Sequence, residues 1–174
     1  MAKNKKEGGF LPEGYKEPEG NYMKFQSGEN VFRVLASAVT GYEYWNTDKK
    51  CIRSKKMWDI TPNDVGRDDK GKIKPIKHFW VFPVWNYNAE KVQILEVTQK
   101  SIMSSMKAYV NNEKWGDPKG YDFTVTKTGS GLDTEYVVIA NPHSEAPAVN
   151  FNINLEALFE GNDPFGGGGD IEIE

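Results

Sequence analysis

Eleven residues, Lys77 to Tyr87 (KHFWVFPVWNY), constrain the fold of this chain more than any other stretch. Five of them are aromatic: Phe79, Trp80, Phe82, Trp85 and Tyr87. In a strand, alternate side chains point to opposite faces. Phe79, Val81, Pro83, Trp85 and Tyr87 therefore share one face, and Trp80, Phe82 and Val84 share the other. A strand on a protein surface is apolar on one face only. Here both faces are apolar, so either both are buried or one is a platform for a flat partner.

The rest of the chain decides how much core is available to bury them. With 174 residues it is long enough for one domain with a modest core and tails. Its single cysteine, Cys51, excludes an internal disulfide and a multi-cysteine zinc site, and suits a reducing compartment. The opening MAKNKKEGGF has no apolar segment of the kind a secretory signal needs, and no apolar run is long enough to span a bilayer. A cytoplasmic protein without a membrane partner is expected.

The net charge of −3 conceals an asymmetry. Nine of the 25 acids fall in residues 128–174, which carry no lysine or arginine; the remainder holds 22 bases against 16 acids. A basic body with an acidic end is the pattern of a nucleic-acid binder with an interaction tail.

Along the chain, residues 1–22 read as a flexible basic lead. In NVFRVLASAVTGYEYWN, Val31, Arg33 and Leu35 alternate with Phe32, Val34 and Ala36 as a strand would, with Gly41 as a break. Residues 48–77 carry ten bases against four acids from Lys49 onward and read as a mobile basic insertion. The aromatic strand follows, then KVQILEVTQ as its return. In QKSIMSSMKAYVNN the period changes, placing Ile102, Met103, Met106, Tyr109 and Val110 on one helical face. YDFTVTKTGSGLDTEYVVIA reads as a hairpin. Residues 143–174 read as a Gly-rich acidic tail with one short helix at NLEALFEG, ending in disordered GGGGDIEIE. Five strands interrupted by one helix between the third and fourth is the order of an OB-fold barrel, here expected over residues 23–142.

The binding candidates are aromatic and basic together. They are Arg33, Tyr42, Tyr44, Trp45, Lys49, Lys50, Arg53, Lys55, Lys56, Trp58, Lys77, Phe79, Trp80, Trp85 and Tyr87. A single nucleic-acid strand needs cations along its backbone and rings under its bases, and stacking accepts every base. Trp45 and Trp85 are the rings assigned to the groove. The competing reading places the rings in the core and leaves the lysines as solubilising charges. His78, His143 and Cys51 lack metal-ligand spacing, TKTGSGLDT lacks the ending of a phosphate loop, and no serine sits in a nucleophile elbow. No catalytic residue, metal or cofactor is therefore assigned.

FRVLASAVTGYEYWN, FWVFPVWNY, QILEVTQKSI, KWGDPKGYDFTVTKTGSG and TEYVV, in that order, resemble the OB-fold single-stranded DNA-binding proteins of tailed bacteriophages. The resemblance spans roughly residues 22–142. It implies a non-enzymatic protein that coats single strands in replication, recombination and repair in the cytoplasm of a bacterial host. It also implies strand contact by barrel-face rings and bases, including Arg33. An acidic end, here Asp170, Ile171, Glu172, Ile173 and Glu174, would recruit replication or recombination proteins. Lys3, Lys5 and Lys6 resemble basic arms that support self-association on DNA. The cysteines and histidines of zinc-bearing relatives are absent, so no zinc subdomain is implied. An RNA-binding or protein-scaffolding OB module is the alternative, and a nuclease accessory a more distant one.

Overall fold

The computed structural model describes residues 9–15 and 20–166. Seven strands form one antiparallel sheet: β1 (Gly28–Val34), β2 (Val39–Trp45), β3 (Cys51–Ser54), β4 (Lys77–Asn86), β5 (Lys91–Val97), β6 (Asp122–Thr128) and β7 (Glu135–Ala140). One α-helix, α1 (Lys100–Val110), separates β5 from β6. The aromatic strand β4 is the centre. β5 runs along one of its edges, and β2 and β1 lie end to end along the other. β6 pairs with β1, β7 with β6, and β3 with β2.

The chain breaks between β1 and β2 at residues 35–38, not at Gly41, which lies inside β2. Pro83 marks the place. It sits mid-strand, opposite the break, and its carbonyl accepts from Leu35 N at 2.9 Å. A residue's N–H and C=O point to the same neighbouring strand, so the donor that proline lacks faces the interrupted edge, where no ladder bond is lost.

The sheet is not the closed five-stranded barrel expected. No ladder joins β5 to β7 among the described residues. Residues 20–26 occupy that seam instead. Met23 N donates to Ile94 O (2.8 Å) and Ile94 N to Asn21 O (2.9 Å). Met23 is buried in the core, and the Phe25 ring lies 5.9 Å from that of Tyr136 on β7. The lead expected to stay flexible to residue 22 is thus tied down from Gly20, whose carbonyl accepts from Gln93 Nε2 at 2.7 Å.

The inner face carries the main core: Phe32, Val34, Phe82, Val84, Leu95, Val97, Phe123, Val125 and Val138, closed by Ile102, Met103 and Met106 of the helix. The helix contributes these three because they recur at helical spacing on one side.

The outer face of β4 is buried as well. Phe79, Val81 and Ile94 are covered by Ile153, Leu155, Leu158, Phe159 and Phe165, which belong to the stretch expected to be a tail. Residues 155–160 form a 3-10 helix capped by Asn154, whose side chain accepts from Glu156 N, and ended by Gly161 in the left-handed region. A side chain at Gly41 would sit 2.7 Å from Ser54 O and 2.9 Å from the Phe159 ring, so this strap needs glycine beneath it.

The basic insertion is folded too. It contains β3, 3-10 turns at Met57–Asp59 and Pro62–Asp64, and its own small core of Tyr44, Ile60 and Val65, with Tyr42, Ile52 and Ile76 packed against it.

Candidate nucleic-acid interface

The candidate residues divide into those the fold buries and those it presents. Arg33 is fully buried. Its Nε donates to Asp122 Oδ1 (2.7 Å), its Nη1 to Lys119 O (3.1 Å) and its Nη2 to Ser144 Oγ (2.7 Å). Asp122 also accepts from the Tyr87 hydroxyl at 3.1 Å. A guanidinium satisfied on three sides has a structural task, which corrects its assignment to the strand-contacting surface. Phe79 and Tyr44 are corrected likewise: each is buried in an apolar cluster because the strap or the insertion folds over it.

Trp80, Trp85, Tyr42 and Tyr87 are half-buried. Trp80 packs against the inner core and lines an apolar cavity of about 420 Å³ with Val34, Phe82 and Met106. Tyr42 leans on the small insertion core, its ring 5.0 Å from that of His78. Trp85 lies opposite Arg33 on β1 and Val92 on β5.

Arg53 is half-buried between the carboxyl groups of Glu43 and Glu96 on the outer face. Its Nε is 3.4 Å from Glu43 Oε1 and its Nη2 3.2 Å from Glu96 Oε1, while its guanidinium lies 5.7 Å above the Phe79 ring. Burial first, then a hydrogen bond to Glu96 and the charge of Glu96, raise the Glu43 carboxyl to about 8 against the opposing pull of Arg53 and Lys77. Glu43 therefore holds a proton at neutral pH, and Arg53 is already engaged.

The exposed members gather on the insertion and the strand ends beside it. Trp58 is 78% exposed and Trp45 51%. Lys49, Lys50, Lys55, Lys56 and Lys77 are exposed as well. Lys56 Nζ stands 5.5 Å from the Trp58 ring centre. Lys55 turns to the strap, 2.6 Å from Glu156 and 5.3 Å from the Phe159 ring.

Local backbone chemistry sets this edge. Asn46 Oδ1 accepts from Asp48 N and Lys50 N, both at 2.9 Å, and Lys49 N donates to Asn46 O. This tight turn forces Lys49 to φ 63°, a region that non-glycine residues rarely adopt. Gly66 N donates to Trp45 O at 2.7 Å and Lys74 N to Gly66 O at 2.9 Å, bringing the 63–74 loop against the turn. The two walls enclose a cavity of about 370 Å³ lined by Lys49, Arg67 and Lys74, with no carboxylate among its lining residues. Arg67 and Lys74 were not singled out in the sequence. They stand among ten bases of similar spacing, and only the reversal at Gly71 turns them toward Lys49.

Asp170, Ile171, Glu172, Ile173 and Glu174, with Lys3, Lys5 and Lys6, lie outside the described residues. No described helix is long and apolar enough to cross a membrane, and no three described His, Cys, Asp or Glu residues gather as a metal site.

No family model and no solved structure matches this chain. It is similar to the "Probable ssDNA-binding protein" of Escherichia phage T5, at 22% identity over 78% of this chain. The chain spans 58% of that relative's length.

Proposed function

We propose that the protein binds single-stranded DNA without sequence preference and without catalysis, through the edge formed by its basic insertion. The observation that carries this reading is the exposure of two tryptophans, Trp45 and Trp58, on a segment rich in exposed lysines, with Lys56 Nζ 5.5 Å from the Trp58 ring centre. Large rings left in water beside cations are the combination that stacks bases and neutralises phosphates. The similarity to the phage T5 protein supports the same partner.

We read the sheet as an OB-type barrel left open at one seam. With β1 and β2 taken as one bent strand, the pairing of β4, β5, β6 and β7 follows the barrel order, with α1 in the expected place. OB folds bind strands on the face of their second and third strands and on the loops flanking it. Here that face, the outer side of β4 and β5, is occupied by the strap. The insertion, which occupies the position of the first flanking loop, is then the available part. In replication, recombination and repair, such a protein would coat exposed strands in the host cytoplasm, while the acidic residues 170–174 recruit a protein partner.

Titration with oligo-dT tests the central claim. Tryptophan fluorescence is expected to be quenched, and affinity to fall with salt at a slope of about −0.7 per phosphate contacted. Replacing Lys49, Lys50 and Lys56 by Gln should flatten that slope. Duplex DNA and RNA run as competitors should displace the strand poorly. Equal competition by RNA would move the reading to a general single-strand binder, and absence of quenching would end it.

A further inference from the structure

We propose that the cavity between the β2–β3 turn and the 63–74 loop is a site for a phosphate monoester, the terminal phosphate of a single strand. This rests on the strand-binding reading and adds to it a preference for strand ends.

Charge is the first ground. Lys49, Arg67 and Lys74 come from three separate points of the chain and line one cavity without a carboxylate. Several other described cations do meet acids: Arg33 meets Asp122, Arg53 meets Glu43 and Glu96, and Lys55 meets Glu156. An internal phosphodiester carries one negative charge, whereas a monoester carries nearly two at neutral pH. Three cations around one cavity favour the more highly charged group.

Shape is the second ground. Gly66, one of the lining residues, meets the 45–46 backbone so closely that a Cβ there would lie 2.9 Å from Asn46 O, so backbone closes that side of the cavity. An internal phosphate must enter and leave with a nucleoside on each side, but a terminal phosphate needs only one way in.

Preorganisation is the third. Lys49 is held at φ 63° by the Asn46 turn, a strained position for a lysine. Arg67 Nη1 donates to Gly71 O at 2.8 Å, which fixes the guanidinium while using one of its five N–H donors. Trp45, half-exposed, precedes Asn46 of the cavity lining, and its carbonyl accepts from Gly66 N.

The test compares oligo-dT of about 12 nucleotides, within the range one such domain covers, carrying a 5′-hydroxyl, a 5′-phosphate or a 3′-phosphate, by fluorescence anisotropy at low salt. One phosphorylated form is expected to bind about tenfold tighter than the hydroxyl form, the scale of one charge-assisted contact. That ratio should fall to near one in Arg67→Gln and in Lys74→Gln, and persist in Lys56→Gln, which removes the same charge away from the cavity. Equal binding of all three oligonucleotides by the unaltered protein overturns the end-binding inference and leaves strand binding standing. A ratio that survives both cavity substitutions also overturns it. Binding of none of the three overturns both readings.

Discussion

On the inner face of β4, Phe82 and Val84 meet side chains from β1, β5, β6 and the helix. On its outer face, Phe79 and Val81 meet Leu155, Leu158 and Phe159 from a segment that belongs to no strand. The side chains on the two faces are chemically alike, and their burial is close to complete on both. What differs is the covering: a sheet that folds around the inner face, and a short strap laid over the outer one. Aromatic content alone therefore does not mark a platform. Of the candidate rings, Trp45 and Trp58 are the exposed ones, and both lie outside the aromatic strand.

Loss of the inner face should be the most damaging. Phe82→Ala leaves a cavity in the main core and is expected to cost about 3–5 kcal/mol in urea denaturation. A loss below 1 kcal/mol would mean that this core collapses around the gap and that the distinction between the faces is false.

The strap should matter less. Leu158→Ala removes one of two buried leucines from a cover that solvent bounds on its far side, and about 2–3 kcal/mol is expected. The transition should stay cooperative, with a rise in apolar dye binding as Phe79 is uncovered. If Leu158→Ala changes neither stability nor dye binding, the strap is not what buries this face.

A pH titration sharpens the comparison further, because among the described carboxyl groups the one with a raised pKa, Glu43, lies on the outer side. Glu43 titrates at about 8 in the folded protein against an ordinary 4.5. Below 4.5 the carboxyl is protonated in both states, and its contribution is fully present. Between 4.5 and 8 only the folded state keeps the proton, so stability declines as pH rises, and above 8 the contribution is gone. Urea midpoints from pH 5 to 8.5 should follow this decline, and Glu43→Gln should flatten it. A flat profile in the unaltered protein would place an ionised Glu43 on that face.

The smallest effect on folding belongs to the exposed edge. Trp58→Ala should alter stability by no more than about 0.5 kcal/mol, while weakening oligo-dT binding by about 1–3 kcal/mol. A stability loss comparable to that of Leu158→Ala would make Trp58 a core residue.

Local pattern was enough to read much of this molecule. Period-two alternation located β1, the β-rich runs beside it located β2, β4 and its return β5, the change to helical spacing located α1 with its buried Ile102, Met103 and Met106, and the Gly-rich turn located the β6–β7 hairpin. The concentration of bases between Lys49 and Lys77 pointed to the segment that now carries Trp58 and the three-cation cavity. These signals are legible because backbone geometry imposes them within a few residues.

What the pattern could not determine was which apolar face would be covered, and by what. Alternation assigns Phe79 and Phe82 to opposite sides of β4 but carries no information about the partner on either side. That partner, for Phe79, is a run of Leu155, Leu158 and Phe159 embedded in acidic, Gly-bordered sequence with the composition of a tail. Arg33 shows the same limit for charge. In sequence it is a base next to aromatics, indistinguishable from Lys49 or Lys56. Its partner Asp122 lies 89 positions away, and only the β1–β6 register brings the two to 2.7 Å and withdraws Arg33 from solvent. Sequence alone located most of the strands, the helix and the charged segment, because those depend on neighbours along the chain; β3 inside the insertion escaped it. Tertiary structure alone decided which rings and cations meet water, because burial depends on segments that become neighbours only when the chain has folded.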